Sequence, residues 1–557
     1  MFDDWSAGQL QCVFNNINMK IPEFRQKFLC YLKTFDILLQ RRLALTCDVN
    51  FKDTVLLQCC QYKDIPWIQW CFYHGVDVSP LHGSAYSGHK EMEKLLLANK
   101  ADIDKCTNKG ASPLLISCEK NQIKVVKVLL ENQADINKCS DDGSSSLVIA
   151  SLMNHIHIVK LLLENKADID KCTENGASPL LFACQNNHIE LVKVLLANKA
   201  DINKCKHDGS SPLVIASWMN HINIVKILLE NKADINISKY KCTENGASPL
   251  HSACEGNHME VVKLLLENKA DINKCMDNGS SALYYACGNN YIKIVQVLVD
   301  NNADINKGTN DGATPLYIAC QDNHLEVVKV LLENKADINK CVYELSSPLF
   351  IACQNNNIEI VKLLIDNKAD LNKCSDTEKS PLYIACEKKN IQVVKLLLDK
   401  KADINKCGDN GTSPLCIACE KNYIEIVQVL LYNKADINKD TNDGATPLYI
   451  ACEDNHIEVV KVLLENKADI NKCLYEGSSP LYIACQNNHI ETVKLLLDNK
   501  ADINKCRGDG VSPLSCLYTA CCKTHIEVVK ILLDNTEDID TCTDILPSPF
   551  HVYSINL

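Results

Sequence analysis

A motif that recurs every 33 residues is the feature that most constrains this chain. The motif reads SPL or a close variant, and Ser146 and Ala282 stand where two copies lack the proline. The spacing widens once, to 37 residues, where Ile237–Tyr240 (ISKY) is inserted. Fixed self-similarity of this length is typical of repeat architectures. Including the two variant positions, fourteen units are in phase, and their prolines are Pro80, Pro113, Pro179, Pro212, Pro249, Pro315, Pro348, Pro381, Pro414, Pro447, Pro480 and Pro513.

One unit, residues 309–341, shows what each copy folds into. Gly312 marks a turn, Thr314 is a suitable helix cap, and Pro315 fits the first helical turn, where a missing N–H costs nothing. Two apolar stretches with helical spacing follow, separated by an Asn that tolerates left-handed geometry. The unit therefore predicts helix, turn, helix and finger loop. Only neighbouring units can cover its apolar faces, so an all-α solenoid is expected.

The same reading divides the chain into four parts. Residues 1–53 predict a helical N-terminal cap, with the remnant of an effector domain as the alternative. Residues 54–78 form a degenerate unit, residues 79–542 hold the fourteen repeats, and residues 543–557 begin a partial copy.

These motifs closely resemble the ankyrin repeat, whose first helix starts TPLHxA and whose second reads VVKLLL before GAD. The resemblance covers roughly residues 54–557. It departs from the family where Lys, as at Lys335, replaces the glycine before AD. Left-handed backbone there costs a non-glycine residue about 1 kcal/mol. The resemblance implies that partner proteins bind a concave groove lined by the fingers and first helices.

Composition narrows the classes of partner. The formal net charge is −12, with Lys and Arg spread among acids, which argues against nucleic acid as a partner. No run of about 18 apolar residues predicts a membrane span. The N-terminus lacks the basic-then-apolar order of a signal peptide. We therefore expect a cytoplasmic, monomeric protein with other proteins as partners.

The potentially reactive side chains also follow the repeat. Most of the 32 cysteines lie on two ladders, one copy per unit, on the first helix and in the finger. Cysteines spaced by one repeat suit neither disulfides nor zinc, so we expect reduced thiols. The histidines that begin the second helices indicate a structural role. No catalytic motif is present, and we expect no enzyme activity, no cofactor and no metal.

Surface positions at which the copies differ are the candidates for binding. Most first helices end in a polar pair, but two end in Leu152-Met153 and Trp218-Met219. Large apolar side chains at exposed positions predict a contact patch, and Trp is a frequent hot-spot residue. The alternative is that these near-identical units share the residues through recent duplication.

A second candidate is a row of acids at the finger tips. From the sixth unit onward these tips carry an acid, which predicts a negative edge suited to a basic partner. Duplication is again the alternative, because units around Pro315 and Pro348 nearly repeat at Pro447 and Pro480. The partner-binding candidates on this edge are Asp311, Tyr343, Glu344, Asp443, Tyr475 and Glu476.

Three functions remain open at this stage. The first is a scaffold that binds partner proteins along the groove. The second is a targeting subunit of an enzyme complex, such as a ubiquitin ligase or kinase, recruited through residues 1–53. The third is a mechanical, spring-like spacer.

Overall fold

A computed structural model describes residues 22–34, 37, 40, 64–73, 81–98, 100–237, 246–341, 346–503 and 515–535. The chain divides into two compact units, Met1–Asp277 and Asn278–Leu557. Within the described residues all regular structure is helical, apart from isolated bridge residues such as the pair Cys139 and Ser145. The predicted all-α repeat fold is therefore confirmed.

From residue 81 onward the helices of the first unit alternate between a short first helix and a longer second helix of each repeat, and two further helices precede them. Their bounds are α1 Pro22–Leu32, α2 Ile65–Tyr73, α3 Leu81–Ser87, α4 Lys90–Ala98, α5 Pro113–Glu119, α6 Ile123–Glu131, α7 Ser146–Leu152, α8 Ile156–Glu164, α9 Pro179–Gln185, α10 Ile189–Ala197, α11 Pro212–Trp218, α12 Ile222–Glu230, α13 Pro249–Glu255 and α14 Met259–Glu267.

The second unit continues the same alternation. Its helices are α15 Ala282–Gly288, α16 Ile292–Asp300, α17 Pro315–Gln321, α18 Leu325–Glu333, α19 Pro348–Gln354, α20 Ile358–Asp366, α21 Pro381–Glu387, α22 Ile391–Asp399, α23 Pro414–Glu420, α24 Ile424–Tyr432, α25 Pro447–Glu453, α26 Ile457–Glu465, α27 Pro480–Gln486, α28 Ile490–Asp498, α29 Ser515–Cys522 and α30 Ile526–Asp534.

Several predicted features fall outside the described residues. They are residues 238–240 of the insertion, most of the degenerate unit, the partial repeat 543–557, and the finger tip with Tyr343 and Glu344. In the segment predicted as a cap, α1 contacts α2. The Arg25 side chain pairs with Asp64 at 2.7 Å, and the Trp67 indole N–H donates to the Arg25 carbonyl at 2.8 Å. These contacts join the segment to the degenerate unit, and its role as a cap stays a prediction.

The first helices begin where capping chemistry places them. In α17 the Thr314 hydroxyl accepts a hydrogen bond from the Tyr317 backbone N–H at 3.2 Å, and Pro315 occupies the first turn. The cap of α15 has the same extended geometry at Ser281, but Ala282 stands where other repeats have proline. The backbone before Ala282 is thus already in the conformation that a proline requires.

We predict that Ala282→Pro stabilises the protein by up to about 1 kcal/mol. Proline restricts the unfolded chain, and here the native backbone accepts it without strain. Urea denaturation followed by circular dichroism measures the change. A lower midpoint for the variant would contradict the prediction.

Two left-handed residues per repeat reverse the chain. Asn323, between the helices of its repeat, has φ of 63°, and Lys335, after the second helix, has φ of 64°. The family glycine before AD is thus replaced by lysine without a change of backbone region. Each such lysine retains the conformational cost that glycine avoids.

Accordingly, Lys335→Gly is expected to raise the free energy of unfolding by up to about 1 kcal/mol. Lys335→Ala is the control, because alanine removes the same side chain but keeps the strained Cβ. If the two variants have the same stability, the cost does not lie in the backbone.

Candidate functional site

Hydrogen bonds between neighbouring repeats fix the backbone that carries the candidate residues. The finger asparagines form one series: the Asn306 carboxamide oxygen accepts from the Asp337 N–H at 2.8 Å, and Asn339 accepts from Asp370 at 2.9 Å. Each finger is thereby tied to the next within its unit.

The histidines at the start of the second helices form another series. His155 Nδ1 lies 2.9 Å from the Cys118 carbonyl of the preceding repeat, and His324 Nδ1 lies 3.0 Å from the Cys287 carbonyl. A carbonyl can only accept, so Nδ1 carries the proton in this arrangement. Asn357 replaces histidine at the same position and donates to the Cys320 carbonyl at 2.8 Å. The structural role expected of these histidines is confirmed.

The apolar candidates lie at the C-terminal ends of two helices, α7 and α11, in the first unit. Trp218 is 53% exposed, Met153 47% and Met219 39%, whereas Leu152 is half-buried. Between them, α9 ends in the exposed polar residues Gln185 and Asn186. The candidates therefore form two apolar clusters separated by one polar repeat, which we call the apolar edge.

Histidines of the following repeats hold the backbone under this edge. His188 Nε2 lies 3.2 Å from the Leu152 carbonyl, and His258 Nε2 lies 2.8 Å from the Trp218 carbonyl. Both bonds satisfy carbonyls that a helix end otherwise leaves without a partner. The exposed side chains consequently project from fixed backbone.

Sequence reasoning missed a second aromatic residue in this register, after Trp218. Tyr86, in α3, precedes Leu152 by two 33-residue periods and is 56% exposed. The Lys120 ammonium lies 4.9 Å from the centre of its ring. Tyr86 also precedes Trp218 by a whole number of 33-residue periods, so the register of Trp218 would have identified it. Tyr86 extends the apolar edge toward the N-terminus.

The acidic finger tips are exposed in the second unit. Asp311, Asp443 and Glu476 are exposed, and Tyr475 is 73% exposed. Successive tips are linked through the backbone, since the Tyr475 N–H donates to the Asp443 carbonyl at 3.2 Å. The hydroxyls of Thr309 and Thr441 donate to Asp311 and Asp443 respectively, which orients these carboxylates. Tyr343 and Glu344 lie outside the described residues.

Charged and aromatic side chains also surround the first helices of the second unit, where sequence reasoning named no candidate. A shallow depression of about 320 Å³ is lined by Lys379, Tyr383, Glu387, Glu420 and Lys421, among others. Burial raises the pKa of Tyr383, and the nearby carboxylate of Glu387 raises it further. This tyrosine therefore stays protonated at neutral pH.

The first-helix cysteines are core residues. Cys184 and Cys320 are fully buried, and burial raises the pKa of both thiols. Cys521 is the exception on this ladder, because it is only partly buried. Cys416 and Cys419 form a CxxC pair that the ladder argument overlooked. Both are buried, and burial raises the pKa of Cys416 to about 11, which opposes thiolate reactivity.

The finger cysteines differ in accessibility. Cys139 and Cys374 are partly exposed, and each thiol lies 3.4 Å from a carbonyl two residues earlier. Among the described residues, no group of three or more His, Cys, Asp or Glu side chains is arranged to hold a metal ion.

We predict that iodoacetamide labels finger cysteines such as Cys374 in the native protein well before first-helix cysteines such as Cys320. The reagent needs an accessible thiolate. Full burial keeps the reagent away from the thiol and disfavours its ionisation. Peptide mass spectrometry over a time course measures the rates. Equal rates on the two ladders would contradict the burial described for the first helices.

Comparison with known families agrees with this architecture. A family model described as ankyrin repeats (3 copies) matches residues 56–140, 81–172, 147–239, 237–309, 274–342, 305–373, 341–406 and 401–472. A second, described as ankyrin repeats (many copies), matches residues 448–497 and 484–533. The protein is an ankyrin-repeat protein. No curated protein matches the chain. None of the described helices is long and apolar enough to cross a membrane.

Proposed function

We propose that the chain is a non-catalytic scaffold that binds partner proteins along the groove formed by its fingers and first helices. Ankyrin repeats are in general protein–protein interaction modules. The observation that carries the proposal is the apolar edge. Trp218, Met153 and Met219 are exposed on backbone that the following repeats hold in place.

Physical reasoning supports this use of the apolar edge. An exposed tryptophan beside an exposed methionine costs solvation and contributes nothing to the core of its own repeat. Most other repeats have polar residues at the same helix position. Rigid backbone further lowers the entropy lost on binding.

The two candidate surfaces indicate the chemical character of the side chains that a partner would present. The apolar edge suits a partner with apolar anchors, whereas Asp311, Asp443 and Glu476 suit a basic one. We further propose a cytoplasmic location, because the described cysteines are free thiols and thiols stay reduced in that compartment.

A second candidate function has a specific observation in its favour. Tyr31 and Ile37, within the predicted cap, and Tyr73 in α2 are all exposed. Apolar side chains exposed near the N-terminus suit a docking surface for an enzyme subunit. The alternative is thus a targeting subunit that docks through residues 1–53.

We predict that Trp218→Ala weakens partner binding roughly thirty-fold, about 2 kcal/mol, because truncating an interface tryptophan removes a hot spot. Proteins captured from the native organism with the wild-type chain are identified by mass spectrometry. The dissociation constant of the leading partner is then measured by calorimetry against wild type and variant.

Two variants control this experiment. Leu228→Ala opens a cavity at a fully buried position in α12 and is expected to cost about 2–5 kcal/mol of stability. Tyr432→Ala removes an exposed aromatic from a second helix and should leave binding unchanged. Unchanged binding by Trp218→Ala, or a loss of stability as large as for Leu228→Ala, would refute the role of the apolar edge.

A further inference from the structure

Three successive repeats of the second unit end their first helix in glutamate, and two of these acids are neutralised by the chain itself. Glu387 accepts the Lys379 ammonium at 2.9 Å, and Glu420 accepts the Lys421 ammonium at 2.8 Å. Glu453, the third, has no lysine or arginine partner among the described residues. A lysine of the chain thus pairs with this glutamate in two of the three repeats.

The repeat at Pro381 shows how the cation is held. Lys379 stands two residues before the first proline of α21, and its ammonium lies 5.3 Å from the centre of the Tyr383 ring as well as beside Glu387. An ammonium between an aromatic ring and a carboxylate gains from both. This repeat therefore carries a filled lysine site.

The repeat at Pro447 repeats this arrangement without the lysine. Tyr449 and Glu453 lie two 33-residue periods after Tyr383 and Glu387 and correspond to them. Ala445 stands where Lys379 would be. Asp454 follows Glu453 where the preceding repeat has Lys421. Both lysines that neutralise the two earlier glutamates are consequently missing here.

Further carboxylates of this region interact electrostatically with Glu453. Burial and then the carboxylates of Asp454 and Asp443 raise the pKa of Glu453. Burial is the largest cause of the raised pKa of Tyr449. Among the carboxylates, Glu453, Asp443 and Glu476 raise this pKa further. Tyr449 is nearly buried, as Tyr383 is. Like charges held together without a counter-charge are unfavourable, and a cation relieves that repulsion.

We propose that Glu453, with Asp443 and Asp454, binds a lysine side chain of a partner protein at the place that Lys379 fills within its own repeat. The proposal deepens the proposed function and rests on it, because it names the partner side chain that one part of the acidic surface takes. The exposed Tyr475 and Glu476 of the neighbouring finger border the site.

The chain contains a matched control for this site. Residues 309–341 and 441–473 are identical except at two positions, where Gln321 corresponds to Glu453 and Leu325 to Ile457. Ala313 and Ala445 are equivalent, both are buried, and each N–H donates to the threonine four residues earlier. A lysine introduced at either alanine adds the same charge in the same local structure.

The test measures binding of a fluorescein-labelled hexalysine peptide to the full chain by fluorescence anisotropy at low ionic strength. Ala445→Lys supplies the missing cation from within and is expected to weaken binding at least fivefold. Glu453→Gln is expected to weaken binding to a similar degree. Ala313→Lys should change the dissociation constant less than twofold, because Gln321 offers its lysine no carboxylate.

Zero-length coupling with a carbodiimide locates the bound peptide. Amide bonds form between peptide amines and protein carboxylates with loss of water, and we expect them mainly in the tryptic peptide 440–461 rather than in its counterpart 308–329. Equal weakening by Ala445→Lys and Ala313→Lys, or equal coupling in the two peptides, would overturn the site and leave only general attraction to an acidic chain.

Failure here is distinguishable from failure of the proposed function. If Trp218→Ala releases the captured partner while Glu453→Gln leaves hexalysine binding unchanged, the interaction scaffold is supported and this lysine site is refuted. If Trp218→Ala and Glu453→Gln both leave the captured partner bound with unchanged affinity, the proposed binding surfaces fall together.

Discussion

Every repeat depends on its neighbours to bury the apolar faces of its two helices. Val327, Val328 and Leu331 of α18 are fully buried, yet a single helical pair of this length has no core of its own. The hydrogen bonds between repeats follow from this stacking, because it brings the histidine and asparagine side chains of one repeat close to the backbone of its neighbour. Stacking therefore fixes both stability and the register of the exposed positions.

That register explains why the function has to be sought in the exceptions. A side chain repeated in most copies, such as the first-helix cysteine or the finger asparagine, serves the array. The exposed pairs at the ends of the first helices contribute little to stacking and are free to vary. Trp218-Met219 and Glu453-Asp454 are two such variations, one apolar and one acidic, and they suit different partner side chains.

Local features of the fold could be predicted from the sequence because their causes are local. The caps at Thr314 and Ser145, and the left-handed Asn323 and Lys335, each follow from a residue and its immediate neighbours. The exposure of Trp218 and Met153 was predictable for a related reason, since the repeat fixes which positions are exposed.

The remaining parts of the candidate surfaces depend on contacts that sequence spacing does not specify. Glu387 and Glu453 both follow PLYIAC in the sequence, and the position of the Lys379 ammonium shows which lysine neutralises Glu387. The bond from His258 to the Trp218 carbonyl likewise needs coordinates, because neighbouring histidines use the other ring nitrogen and a different carbonyl.

Hydrogen–deuterium exchange of the chain with and without its captured partner tests the central claim, that exceptions to the repeat form the binding surface. The account predicts added protection at the first-helix ends around residues 152–153, 218–219 or 453–454, and none on the outer second helices such as α24. Protection confined to the second helices, or spread evenly over identical positions of all repeats, would contradict it.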